Sequence, residues 1–184
     1  MSSVRAFLAI PLPEQLKDSI SAFQQSLHAH WPDSRWIRPE NLHLTLHFFF
    51  ALEQETLEKI KVSVLSVKGC QQPFTVEVEG LGAFPNLHHP RILWLALKPE
   101  EQLRQLHSDC RKALSQVGVA TESRPYSPHL TIGRRRPGRS NLPALRYSVD
   151  HASVGQLHVD RLILFESRLR PDGAEHIPIL TMTL

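Results

Sequence analysis

His43-Leu44-Thr45-Leu46 and His129-Leu130-Thr131-Ile132 are two nearly identical tetrapeptides, set close to half a chain length apart in a sequence of 184 residues. Each falls in a strand-like stretch. Side chains alternate faces along a strand, so each His lies beside its Thr on one face. Chance would supply about 0.4 copies of His-x-Thr in a chain of this composition. Two copies, each with Leu inside and an aliphatic residue after, point to an internally duplicated architecture rather than a solenoid. Two strands that each present an imidazole and a hydroxyl build one pocket with paired proton-transfer groups and paired hydrogen-bond donors. That chemistry suits a phosphate ester.

Outward from the motifs, the patterning alternates between periods of two and 3.6. Residues 4–10 predict a buried first strand, and Pro13 opens a helix with the apolar stripe Leu16, Ile20, Phe23 and Leu27. Residues 34–37 predict a short strand and residues 43–50 the first motif strand. Leu57, Ile60, Val64 and Val67 mark a second helix, and residues 74–79 alternate as a strand. Residues 80–90, rich in Gly, Pro, Asn and His, read as a loop. A strand at 91–97 precedes a third helix carrying Leu103, Leu106, Cys110, Leu114 and Val117, stopped by Gly118. The second motif strand spans 127–134. A loop at 134–149 and strands at 157–165 and 177–183 complete the chain, the last two joined through Pro171-Asp172-Gly173. Too few βαβ units occur for a parallel sheet, so the expectation is an α+β protein with two sheet-bearing lobes.

The bulk properties leave that reading open and close several others. With 41% hydrophobic and 21% charged residues the chain has the composition of a globular protein and not a disordered one. A formal charge of +3 permits an anionic partner without establishing one. Cys70 and Cys110 form no disulfide framework and have no metal-ligand spacing. No stretch reaches membrane-spanning length, so the expectation is a soluble cytoplasmic protein. There is no Gly-x-Ser-x-Gly elbow and no phosphate loop ending in Gly-Lys, which removes support for a serine nucleophile and for ATP-driven chemistry. His-Glu-x-x-His is also absent, and a metal is not expected.

Histidine serves where one reaction needs an acid and a base near neutral pH. Opening a cyclic phosphodiester is such a reaction, with Thr45 and Thr131 holding the non-bridging oxygens. His47 shares the expected strand face of His43 and Thr45 and reads as a peripheral pocket or core residue, because Gly133 stands at its counterpart. His88-His89 reads as loop. The run Arg134-Arg135-Arg136 with Arg139, preceded by Arg124 and Tyr126, offers a surface for a phosphate backbone or simply a solvated loop.

These residues resemble the two-histidine phosphoesterase superfamily, and more narrowly its RNA 2′,3′-cyclic phosphodiesterases, also called 2′-5′ RNA ligases. The resemblance takes in Arg5-Ala6-Phe7-Leu8-Ala9-Ile10 and Trp36-Ile37-Arg38-Pro39-Glu40-Asn41-Leu42. It continues through Phe84-Pro85, Arg91-Ile92-Leu93-Trp94, Pro128, Gly133-Arg134 and Ser167-Arg168-Leu169. It implies a single bilobal domain over residues 1–184, with pseudo-twofold symmetry, antiparallel-rich sheets lining a central cleft, and helices outside. It implies cofactor-independent hydrolysis of RNA 2′,3′-cyclic phosphate ends to 2′-phosphates, and in some members ATP-independent 2′-5′ joining in reverse. By motif match His43 is the general acid toward the 3′ oxygen, and His129 the base that activates water. Phe48 and Arg134, each five residues past its His, are implied nucleotide contacts, although strict alternation turns both away from the motif face unless a bulge or a strand end intervenes, the other reading being a core Phe and a solvated Arg. A monomer is expected.

Two positions depart from the family pattern. Phe48-Phe49-Phe50 stands where Phe-Leu-Gly is usual, and His176 replaces an aromatic Tyr near the C-terminal turn. The competing reading is a non-catalytic RNA- or nucleotide-binding protein using the same pocket.

Overall fold

The computed structural model describes residues 3–29, 31–32, 34–86, 89–135, 153–171 and 173–184. Strand β1 (Val4–Pro11) leads into helix α1 (Glu14–Leu27), then β2 (Ser34–Trp36), a 3-10 turn (Pro39–Asn41) and β3 (His43–Leu52). Helix α2 (Gln54–Leu65), β4 (Phe74–Phe84), β5 (Ile92–Lys98) and α3 (Glu101–Gln116) follow. The last strands are β6 (His129–Arg135), β7 (Ser153–Val159), β8 (Arg161–Arg170) and β9 (Gly173–Thr183). They form two antiparallel sheets, ordered β3-β1-β8-β9 and β2-β6-β5-β4-β7. The α+β class is as the patterning predicts.

The helices cross over between the sheets. Helix α1 leaves the four-stranded sheet and packs on β6 and β7 of the five-stranded one, whereas α3 leaves the five-stranded sheet and packs on β3. The apolar stripes dictate this docking. Leu16, Ile20 and Leu27 of α1 and Leu103, Leu106 and Leu114 of α3 are all buried, each contributing about 1.5–3 kcal/mol of burial free energy. Gly118, at φ 76°, ends α3 in the left-handed conformation that a side chain resists.

Two expectations fail for physical reasons. Residues 80–84, read as loop, continue β4, because Gly82 leaves its face bare for the Trp94 indole. A Cβ there would sit 2.2 Å from the ring. The strand predicted at 157–165 is two strands in different sheets. Leu157 and Val159 are buried in one sheet, Leu162 and Leu164 in the other, and the chain changes sheets at Asp160. The loop predicted at 134–149, with Arg136 and Arg139, and His88 and Asp172, lie outside the described residues apart from Arg134 and Arg135, which belong to β6.

Candidate active site

The two motif strands carry the same irregularity at the same place. Along β3, Ala9 pairs with Thr45 and Leu8 with His47, so Leu46 is an extra residue. Along β6, Trp94 pairs with Thr131 and Leu93 with Gly133, so Ile132 is extra. A bulge of this kind resets the alternation of faces. Leu46 and His47 both turn into the core, as do Ile132 and Gly133. Phe48 and Arg134 consequently share the face of His43-Thr45 and His129-Thr131.

All six of those residues line one cleft of about 730 Å³. Five arginines also border it: Arg5, Arg35, Arg38, Arg134 and Arg170. Among the described residues its lining contains no Asp or Glu, so the cavity is suited to an anion. A neighbouring recess of about 470 Å³ shares Arg38, Arg170 and His176 with it.

The two motif imidazoles are oriented alike. His43 donates its Nδ1–H to the carbonyl of Asn41 at 2.8 Å, and His129 donates its own to the carbonyl of Ser127 at 2.8 Å. A carbonyl can only accept, which fixes the tautomer and leaves Nε2 as the ring nitrogen offered to the cleft. Asn41 is itself braced, its side-chain amide donating to the Ala174 carbonyl of β9 at 3.0 Å. Around His43, Phe7 stacks at 4.6 Å and His176 approaches edge-on at 5.2 Å. His129 meets the edges of Phe84 at 5.0 Å and Trp94 at 6.2 Å. Burial, then the neighbouring His176 and Arg134 charges, push the His43 pKa down to about 4 against the pull of the Asn41 carbonyl.

Side chains outside the cleft lining, those of Gln24 and Tyr126, help to hold the bulges. An extra residue leaves ladder groups unpaired, and these need other partners. The Ile132 carbonyl accepts from Gln24 Nε2 at 2.8 Å and from the Ile37 amide at 3.0 Å. The same Gln24 amide donates to the Ile37 carbonyl at 2.9 Å. In the other sheet the Tyr126 hydroxyl donates to the Thr45 carbonyl at 3.0 Å. Neither Gln24 nor Tyr126 was singled out as a support by the motifs. A buried glutamine in the apolar stripe of α1 was the available signal, since a polar group at such a position needs a designated partner.

His47 does not share the motif face. It is buried, donates Nε2–H to the His107 carbonyl at 3.1 Å and stacks on the His107 ring at 4.2 Å, which in turn stacks on Tyr126 at 4.1 Å. Tyr126 thus turns inward rather than extending a basic surface, and Arg124 is exposed outside the cleft lining. Among the described residues no three His, Cys, Asp or Glu side chains are grouped to hold a metal ion. No helix among them is long and apolar enough to cross a membrane.

Comparisons with known proteins give a consistent answer. Residues 12–170 match the family model described as the 2′-5′ RNA ligase superfamily. The chain is 34% identical over 172 residues to the RNA 2′,3′-cyclic phosphodiesterase of Methanothermobacter thermautotrophicus, covering 92% of this chain and 93% of the relative. The enzyme of the same description from Methanocaldococcus jannaschii is 30% identical, with 92% and 95% covered. Among solved structures, a Thermus thermophilus protein superposes with a TM-score of 0.83 at 24% identity over 98% of this chain and 97% of that one. The Escherichia coli LigT protein complexed with 3′-AMP gives 0.79 at 24% identity, covering 100% and 99%. These two likenesses bear on the fold.

Proposed function

This chain belongs to the 2′-5′ RNA ligase superfamily, and we propose that its cleft hydrolyses the 2′,3′-cyclic phosphate ends of RNA to 2′-phosphates. One observation carries the reading. Two His-x-Thr pairs on bulged strands offer their Nε2 atoms and hydroxyls to a single arginine-lined cavity. In this reading the two sheets are the lobes of one phosphoesterase domain over residues 1–184, and the cyclic phosphate sits between them.

His129 Nε2 takes a proton from water as the oxygen attacks phosphorus. His43 Nε2–H delivers a proton to the 3′ oxygen as the P–O3′ bond breaks, and the phosphate stays on the 2′ oxygen. Charge that builds on the non-bridging oxygens is met by the hydroxyls of Thr45 and Thr131 and the guanidinium of Arg134. His43 must be protonated for this role. The phosphodiester anion supplies the condition, because a negative charge beside the ring favours its charged form and opposes the burial and the cations that lower it in the free protein. With a 5′-hydroxyl in place of water the same two groups, in the same roles, join RNA ends: His129 takes the proton of the attacking 5′ oxygen, His43 protonates the departing 3′ oxygen, and the product is a 2′-5′ phosphodiester.

The test is product analysis with a nucleoside 2′,3′-cyclic phosphate in the presence of EDTA. Formation of the 2′-phosphate is expected, and His43→Ala or His129→Ala each reduces the rate by at least about 100-fold. Binding without turnover would instead identify a nucleotide-binding protein, and full turnover in either variant would overturn the mechanism.

A further inference from the structure

Phe50 is a large apolar side chain left 69% exposed. It follows Phe48 at the interval of two that keeps both on one strand face, and their rings lie 4.7 Å apart. The Arg5 guanidinium carbon stands 5.9 Å from the centroid of each ring. Arg5 lines the cleft, yet its buried Nε has no hydrogen-bond partner, and it pairs with no carboxylate among the described residues. The next residue after Phe50, Ala51, has φ 50°, a left-handed conformation that a non-glycine side chain resists. The strand end thus carries strain and a ring most of whose surface meets solvent.

An aromatic face beside an unpaired cation is what a base and its phosphate require from a single-strand binding surface. Resting on the function proposed above, the direction of the RNA follows from its chemistry. A cyclic phosphate occupies the 2′ and 3′ oxygens of the last nucleotide, so the chain continues only through that nucleotide's 5′ oxygen. We propose that Phe50, with Arg5, is the subsite for the nucleotide on the 5′ side of the cyclic phosphate. Its base stacks on Phe50 and the connecting phosphate lies against Arg5. The protein is then selective for oligonucleotide ends over free nucleoside cyclic phosphates, and Phe50 is the residue that sets the selectivity.

Rates are compared for a nucleoside 2′,3′-cyclic phosphate, a dinucleotide ending in one, and the same dinucleotide with an abasic 5′ residue. The intact dinucleotide should have the highest kcat/KM, by roughly 10-fold over the mononucleotide, the effect of one base stacked on an aromatic ring. Phe50→Ala should remove that advantage and leave mononucleotide turnover unchanged, whereas Phe50→Tyr keeps it. The abasic dinucleotide should be insensitive to Phe50→Ala and retain only the part of the advantage that falls with salt and with Arg5→Gln. Equal rates on all three substrates, or a Phe50→Ala defect of the same size on each, would overturn the subsite and leave the cyclic phosphodiesterase reading standing. Turnover of none of them overturns that reading itself.

Discussion

Replacing Gln24 by leucine keeps a buried side chain of similar size in α1 and removes two hydrogen bonds, 2.9 Å to the Ile37 carbonyl and 2.8 Å to the Ile132 carbonyl. Ile132 retains the Ile37 amide as a partner, so the unsatisfied acceptor after substitution is chiefly the Ile37 carbonyl. Two such bonds at about 0.5–1.5 kcal/mol each predict a loss of about 1–3 kcal/mol. For a protein of this size that lowers the thermal midpoint by about 2–4 °C per kcal/mol. The kinetic consequence should be larger in proportion. Thr131 and Arg134 flank the bulge that Gln24 holds, and displacement of positioned groups by about 1 Å can cost on the order of 100-fold in rate. Thermal denaturation followed by circular dichroism measures the first effect, and steady-state hydrolysis of a cyclic phosphate substrate well below the midpoint measures the second. The expected pattern is a modest loss of stability with kcat/KM down about tenfold or more. A variant as stable and as active as the parent would show that the bulge holds its shape without Gln24, and the assignment of its role would be wrong.

Three further outcomes follow from the geometry. By NMR titration the His43 ring should titrate near 4 in the free protein and move upward when a nucleoside 2′-phosphate fills the cleft, since an anion favours imidazolium; an unmoved His43 would remove it from the phosphate site. Burial holds His47 and His107 to about 4 as well, against an ordinary 6.5. Their folded pKa values lie below the unfolded ones, so stability is complete above about pH 6.5 and lost as pH falls toward 4, by up to about 1.4 kcal/mol per pH unit for each proton taken up on unfolding. Urea midpoints between pH 7 and 4.5 should show the fall, and His107→Phe, which keeps a ring between His47 and Tyr126, should flatten it. Gly82→Ala sets a methyl 2.2 Å from the Trp94 indole; overpacking of this kind predicts about 1–3 kcal/mol of destabilisation. Because Trp94 abuts His129, the rate should fall with it, and an unperturbed indole fluorescence spectrum would contradict the expected displacement.

Much of this was legible in the amino-acid order. The helix stripes and the two motif strands follow from apolar spacing, which tertiary structure had no reason to override. The need for an irregularity beside each motif was also legible, because Phe48 and Arg134 reach the motif face only if alternation breaks. Its position was not, since Leu46 and Ile132 are ordinary strand residues and the break depends on how β1 and β5 pair with them. The division at Asp160 was hidden for a related reason. Buried alternating residues look the same whether one sheet or two receive them. The continuation of β4 through Gly80 and Gly82 ran against propensity, and only the distant Trp94 supplies the reason for it.

Leu46 and Ile132 act as phase markers. If β3 paired with β1 without the bulge and with Leu46 still in place, the two-residue rhythm would run uninterrupted, and each later side chain would exchange sides. The His47 imidazole would enter the cleft, and Phe48 would be drawn toward the core. His43 and Thr45, upstream of the bulge, would keep their places. The His43-Thr45 pair and Phe48 therefore stand in different phases of the same strand. The extra residue, and not the identity of its side chain, is what turns Phe48 toward the cleft and His47 away from it.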